Sequence, residues 1–176
     1  MNTHQDLSTA CDLVTESASY LTKPSRILDL ACGGGRNGQH LLSLGHNVVF
    51  LDKDIAGLSH LKCKPNAEII EADLENGDPW PLGDRKFDAV LVVNYLWRPI
   101  MGDIINSVIG GGVLIYETFG VGNEKYGRPS NPKFLLSENE MPNMLMDNFD
   151  IVRYQHGFVE SPKPAIKQSV IALKKP

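Results

Sequence analysis

Three carboxylates in the first half of the chain stand where a ligand with several polar groups could be held. Asp29 comes four residues before Gly33, the first of three consecutive glycines in residues 26–38, RILDLACGGGRNG. Asp52 lies 19 residues after Gly33, and Asp73 closes a further apolar run. Glycine admits backbone angles closed to other residues and lets the chain approach a ligand closely. The amide donors at a helix start that follows such a turn favour polar or anionic groups.

Two ligands compete for this pattern. Gly33, Gly35 and Gly38 satisfy G-x-G-x-x-G, and Asp52 at the end of the next strand completes a dinucleotide signature. Asp29 pulls the other way. A carboxylate so close to the turn repels a pyrophosphate and attracts a ligand with an ammonium and a sulfonium. Asp73, after the third strand, offers an acceptor to an adenine amino group.

Further polar residues cluster later. Asn94, Tyr95, Trp97 and Arg98 follow a fourth apolar run; Tyr116, Glu117 and Thr118 follow a fifth. Tyr126, Arg128, Asn131 and Phe134 lie on residues 120–136, which show no convincing period. Segments this long without periodicity are usually functional in compact domains. Residues 120–136 are therefore expected to form an active-site loop that closes over a second substrate. Glu117 is the best candidate for a base or an orienting acceptor, and Arg98 and Arg128 could bind an anionic group.

The elements that must position these residues follow from periodicity. Leu7, Cys11, Val14, Ala18 and Leu21 predict an N-terminal helix within residues 1–22. Strands are expected at 26–30, 46–51, 67–71, 87–93 and 113–116, with helices at 36–44, 55–61 and within 95–108, the last stopped by the glycines 110–112. A helix over 140–148 follows, with Ser137 and Glu140 at capping-box spacing and Asn139 as a competing cap. Strands at 150–155 and 168–173 are joined too briefly for a crossover helix and should be antiparallel neighbours. Alternating strands and helices predict an α/β fold with a mostly parallel sheet, which binds ligands at the carboxyl ends of its strands. Asp29, Asp52, Asp73, Asn94 and Glu117 all fall there.

Composition narrows the classes. The 176 residues suit one domain, 1–176. A net charge of −4 with scattered Lys and Arg argues against nucleic acid. Cys11, Cys32 and Cys63 form no CxxC pair, which fits a reduced, cytoplasmic protein. No apolar run is long enough to cross a bilayer, so no membrane partner is expected. His4, His40, His46 and His60 share no spacing, and no metal site is expected. Nothing assigns an oligomeric state.

DLACGGGRNG, FLDKD, EADLE, FDAVLVVNYLWRP and GGGVLIYETF, in this order and spacing, resemble the class I S-adenosylmethionine-dependent methyltransferases. The resemblance spans residues 24–119, and the paired C-terminal strands agree with it. It implies a Rossmann-like three-layer sandwich with a mostly parallel seven-stranded sheet and an antiparallel C-terminal strand pair. NYLWRP and IYETFGVGNEKYGRPSNPKFLL further resemble a bacterial group of tellurite-resistance-protein-like methyltransferases. That group carries proline and glycine before the acidic helix start, where Glu138 and Asn139 stand here.

The resemblance implies roles for single residues. Asp29, Ala31 and the backbone of Gly33 to Gly35 would hold the amino-acid end of S-adenosylmethionine. Asp52 would take the ribose hydroxyls, Lys53 would lie beside the adenine, and Asp73 would accept from its amino group with Leu74 nearby. Asn94 would sit near the methionine portion and Tyr95 beside the methyl group, with Tyr126 on the loop. The expected acceptor is a small molecule, a metalloid oxyanion or another soft nucleophile. NYLW lacks the Asn/Asp-Pro-Pro-aromatic motif of many amino-group methyltransferases, which also favours a small acceptor. The alternatives are an RNA or protein methyltransferase recruited by a partner, a cofactor-binding regulatory subunit without activity, and a dinucleotide oxidoreductase.

Overall fold

The computed structural model describes residues 9–22 and 24–176. Its centre is a seven-stranded sheet in the order β3-β2-β1-β4-β5-β7-β6. The strands are β1 (Arg26–Leu30), β2 (Asn47–Asp52), β3 (Ala67–Glu71), β4 (Phe87–Val93), β5 (Val108–Phe119), β6 (Phe149–Val159) and β7 (Ala165–Lys174). The first five pair in parallel, and β7 inserts antiparallel between β5 and β6. Strand order reverses between β1 and β4, which opens a crevice at their carboxyl ends.

The inner strands are apolar on both faces because both faces are covered. Leu28, Leu30, Val90, Val92, Leu114 and Tyr116 point to one side, where α3 (Met101–Ser107) contributes Ile104 and α4 (Glu140–Leu145) contributes Met141 and Leu145. Ile27, Phe50, Ala89, Leu91 and Ile115 point to the other, under Leu13 and Val14 of α1 (Asp12–Ser17) and Leu41 of α2 (Arg36–Ser43). These helices run six to eight residues. Helices this short are marginal alone, so burial of their apolar faces holds them. The outcome is the expected Rossmann-like three-layer α/β sandwich with an antiparallel C-terminal pair.

Several boundaries differ from expectation. The N-terminal helix covers Asp12–Ser17 and passes into a 3₁₀ turn at Ala18–Tyr20; residues 1–8 of the expected helix lie outside the described residues. Residues 56–61 form a 3₁₀ helix. The glycines 110–112 do not stop a helix. α3 ends at Ser107, and the glycines lie inside β5, beside a register shift against β4 between Phe87 and Ala89. A Cβ on Gly112 would lie 2.8 Å from the Asp88 carbonyl oxygen, so the strand can pass β4 there only with glycine. α4 starts at Glu140 despite Pro142, because the proline is its third residue and needs no intrahelical donor. Residues 120–136 are two 3₁₀ turns, Asn123–Lys125 and Pro132–Phe134, returned to β5 by amide bonds from Leu136 to the Phe119 carbonyl and from Val121 to the Leu136 carbonyl.

Candidate active site

The glycine turn leaves β1 with three positive φ angles, at Ala31, Gly33 and Gly35. For Ala31 this is a strained conformation of the kind that collects at ligand sites. The turn is tied down from below: the Cys32 amide donates to the Leu51 carbonyl, and the Gly35 amide to the Cys32 carbonyl. Above it there is space. A Cβ on Gly33 or Gly34 would meet no atom within 4 Å, whereas one on Gly35 would lie 2.8 Å from Leu58. Gly35 therefore serves packing, and Gly33 and Gly34 leave room for a ligand.

Asp29 sits under this turn, 2% exposed, and accepts a 2.9 Å hydrogen bond from the Gly38 amide. Burial pushes its carboxyl up to about 7. The Gly38 hydrogen bond opposes the rise, and the nearby Asp52 carboxylate adds to it. A ligand ammonium would compensate this buried acid. Asp52 accepts from the Gly33 amide at 2.7 Å and from the Asp54 amide at 3.0 Å, so it braces the turn against the end of β2. Asp54, not Asp52, meets the following 3₁₀ helix, accepting from the Ala56 amide. Asp73 accepts from the Glu75 amide at 2.9 Å. Lys53 is exposed, and Leu74 packs partly buried at the edge of the core.

A second region adjoins the first at the ends of β4 and β5. Asn94 has φ 58° and donates its amide to the Glu117 carbonyl at 2.7 Å. It borders a cavity of about 690 Å³ together with Glu117, Tyr126 and Arg128. Asn94 also borders a smaller cavity of about 280 Å³, with Tyr95 and Phe134. Burial, followed by the nearby Glu75 carboxylate, holds the Tyr95 phenol above its ordinary range. Tyr126 is 47% exposed, with its ring 5.3 Å from that of Phe158.

Arg98 does not join this group. Its guanidinium grips Glu140 through two bonds, at 2.6 and 2.9 Å, and donates to the carbonyls of Lys133 and Leu135. Its partner is a carboxylate of α4, and its work is to fasten the end of the 120–136 segment. Glu117 pairs with Lys167, which sequence reasoning missed, along with Arg36 and Arg153 on the cavity wall. Lys167 becomes visible only through the register that sets it opposite Phe119, next to Glu117. Among the described residues no group of three or more His, Cys, Asp or Glu could hold a metal ion, and no helix is long and apolar enough to cross a membrane.

The residues fit S-adenosylmethionine. Three carboxylates at successive strand ends match an ammonium, a ribose diol and an adenine amino group, and the face above Gly33 and Gly34 is open. Residues 27–109 match the family model for a methyltransferase domain. The fold is the Rossmann-like one of S-adenosylmethionine-dependent methyltransferases, and the matched methyltransferase domain takes in β1 to β4 with the glycine turn and the three carboxylates.

Solved structures share this architecture at low identity. TehB from Haemophilus influenzae superposes with a TM-score of 0.75 at 21% identity over 93% of this chain, which spans 62% of the length of TehB. A SAM-dependent methyltransferase from Methanosarcina mazei gives 0.71 at 17% identity, covering 95% of this chain and 99% of that one. The 1,6-didemethyltoxoflavin-N1-methyltransferase of Burkholderia thailandensis, solved with 1,6-didemethyltoxoflavin and S-adenosylhomocysteine bound, gives 0.68 at 17% identity, covering 93% and 77%. No curated protein sequence matches the chain.

Proposed function

We propose that this chain transfers a methyl group to a small molecule held in the cavity bounded by Asn94, Glu117, Tyr126 and Arg128. The observation that carries this reading is the cavity of about 690 Å³ at the ends of β4 and β5, beside the glycine turn. Asp29 would take the ammonium of the cofactor, Asp52 the ribose hydroxyls and Asp73 the adenine amino group, with Ala31, the glycines 33–35, Lys53, Leu74 and Asn94 completing the cradle. Bound there, the cofactor would supply an electrophilic methyl on a sulfonium, with a thioether as the leaving group.

The chain itself has three tasks. It holds the acceptor atom in line with the methyl at about 3–3.5 Å, it shields the site from water, and it takes a proton where the acceptor carries one. Glu117 is the residue at the cavity wall suited to the last task, with Tyr126 on the same wall and Tyr95 across Asn94 in the adjoining smaller cavity. A soft nucleophile such as a thiolate would need no base. The small-molecule acceptor of the toxoflavin enzyme is compatible with this reading. Stabilisation of the chain by S-adenosylhomocysteine but not by NAD, followed by methyl-label transfer to members of a metabolite panel, tests it. Stabilisation by NAD alone would overturn it.

A further inference from the structure

The walls of the larger cavity carry a charge opposite in sign to the chain. Arg36, Arg128, Arg153, Lys163 and Lys167 line it. Among the described residues that line it, only Asp12 and Glu117 are acidic, in a chain whose net charge is −4. Three of the five cations have partners: Arg36 donates to the Thr9 carbonyl and Lys167 pairs with Glu117, both on the wall, and Arg153 pairs with Glu16 of α1. Arg128, from the segment after β5, and Lys163, from the turn between β6 and β7, are exposed and form no ion pair among the described residues.

Size adds a second constraint. An inorganic oxyanion of three or four oxygens occupies on the order of 100 Å³, taking about 30 Å³ for each water-sized oxygen. A cavity of about 690 Å³ belongs to the range that encloses drug-sized organic ligands. Asp29, Asp52 and Asp73 do not line it, so most of this space lies outside the three-carboxylate cradle. Phe119 and Tyr126 provide apolar walls.

We infer that the acceptor is an organic anion bearing a carboxylate or a phosphate, its charged group held between Arg128 and Lys163 and its nucleophilic end directed to Asn94 and Glu117. This rests on the reading of the cavity as the acceptor site. Arg128 offers a planar fork and Lys163 a point charge, a combination that recognises either anion. A cationic or neutral acceptor would leave the two unpaired cations unused and would face the positive wall.

The test uses the full chain saturated with S-adenosylhomocysteine and two matched probe pairs, benzoate with benzamide and phenyl phosphate with phenol, measured by calorimetry. At least one anion should bind about tenfold more tightly than its neutral counterpart. The double variant R128Q/K163Q should remove that preference while S-adenosylhomocysteine affinity stays unchanged. Preference for benzoate selects a carboxylate substrate, and preference for phenyl phosphate a phosphorylated one. Equal binding of anion and neutral partner, or an anion preference that survives in the double variant, overturns the inference. So does selenite binding as tightly as the aromatic anions. Failure of S-adenosylhomocysteine itself to bind the wild-type chain would instead sink the cofactor cradle on which the inference stands.

Discussion

Glu117 Oε1 lies 2.5 Å from Lys167 Nζ at the cavity wall, with both side chains mostly buried. The register sets Lys167 opposite Phe119 and Ser169 opposite Glu117, so the pair is a diagonal contact across β5 and β7. The ammonium also lies 5.4 Å from the centre of the Phe119 ring. Glu117 thus lines the cavity with Oε1 engaged by Lys167.

This pairing predicts a specific pattern in a double-mutant cycle. Lys167→Met leaves Glu117 facing the cavity without its counter-charge and should cost about 1–3 kcal/mol in denaturant melts. Glu117→Gln/Lys167→Met should recover much of that loss. With an oxygen or nitrogen acceptor, Glu117→Gln alone should lower kcat at least about tenfold without weakening S-adenosylhomocysteine binding. Unchanged turnover with such an acceptor would remove Glu117 from proton transfer.

Asp29 should make cofactor binding depend on pH. Its folded pKa of about 7 stands above the ordinary 3.8, so between those values the folded chain holds a proton that the unfolded chain has lost. The contribution of this group to apo stability is therefore greatest at low pH and falls as pH rises towards about 7. An ammonium ligand needs the ionised carboxylate, so S-adenosylhomocysteine affinity should rise by up to about tenfold per pH unit below about pH 7 and level off above it. Calorimetry in buffers of different ionisation enthalpy should detect the proton released. Asp29→Asn should bind weakly at every pH; a variant that keeps the wild-type profile would assign the titration elsewhere.

Much of this architecture was legible because the buried parallel strands announce themselves. β1, β3 and β4 have the expected bounds, since each is a short segment with an apolar centre between turn residues. β5 was only half legible: Gly110, Gly111 and Gly112 carry no pattern, and their place in the strand depends on close passage beside Asp88. Asp29, Asp52 and Asp73 were legible as strand-end acids. The Lys167 and Arg98 pairings were not, because they join residues 50 and 42 positions apart whose meeting is decided by antiparallel register and by the return of a long segment. The spacing of Ser137 and Glu140 did show half of a capping box, and the Glu140 carboxylate does accept from the Ser137 amide. It gave no sign that the same carboxylate also holds Arg98.

Gly38 and Gly34 should separate folding from binding. A Cβ on Gly38 would lie 2.5 Å from Phe50 Cε1 and 2.6 Å from Asp29 Oδ2, so Gly38→Ala should cost about 1–3 kcal/mol and weaken S-adenosylhomocysteine together with stability. Gly34→Ala meets nothing within 4 Å and should leave the melting curve unchanged. It should still reduce cofactor affinity, because the added methyl occupies the ligand side of the turn. Equal affinity in Gly34→Ala and wild type would place the cofactor elsewhere.

Asn139 occupies a left-handed conformation, φ 58° and ψ 10°, at the start of α4. Glycine adopts these angles freely, asparagine tolerates them, and residues with an unadapted Cβ pay about 1–2 kcal/mol. Asparagine is among the few residues other than glycine that visit this region routinely, which fits its place at this turn. Asn139→Gly should be neutral or stabilising by a few tenths of a kcal/mol, and Asn139→Ala should destabilise by about 1 kcal/mol. Equal melting of the two variants would exclude left-handed strain at this position.

Arg98 should act on structure before it acts on substrate. Its bidentate grip holds the Glu140 carboxyl below the usual carboxylate range, and its other two donors satisfy the Lys133 and Leu135 carbonyls. The stabilisation from this carboxylate is present above the ordinary carboxylate pKa and is lost as pH falls through the lower folded value. Arg98→Ala should cost about 1–2 kcal/mol near neutral pH, discounted for the partial exposure of the guanidinium, and less in acid. Hydrogen exchange should quicken across residues 132–145, where the amides of Leu135, Leu136 and Glu140 are bonded. Arg98→Lys should not restore protection, because a point charge cannot bridge a carboxylate and two carbonyls at once. Turnover should fall only as far as the loosened segment disturbs the cavity. An Arg98→Ala protein with wild-type melting and exchange but a large rise in acceptor KM would return Arg98 to the acceptor site.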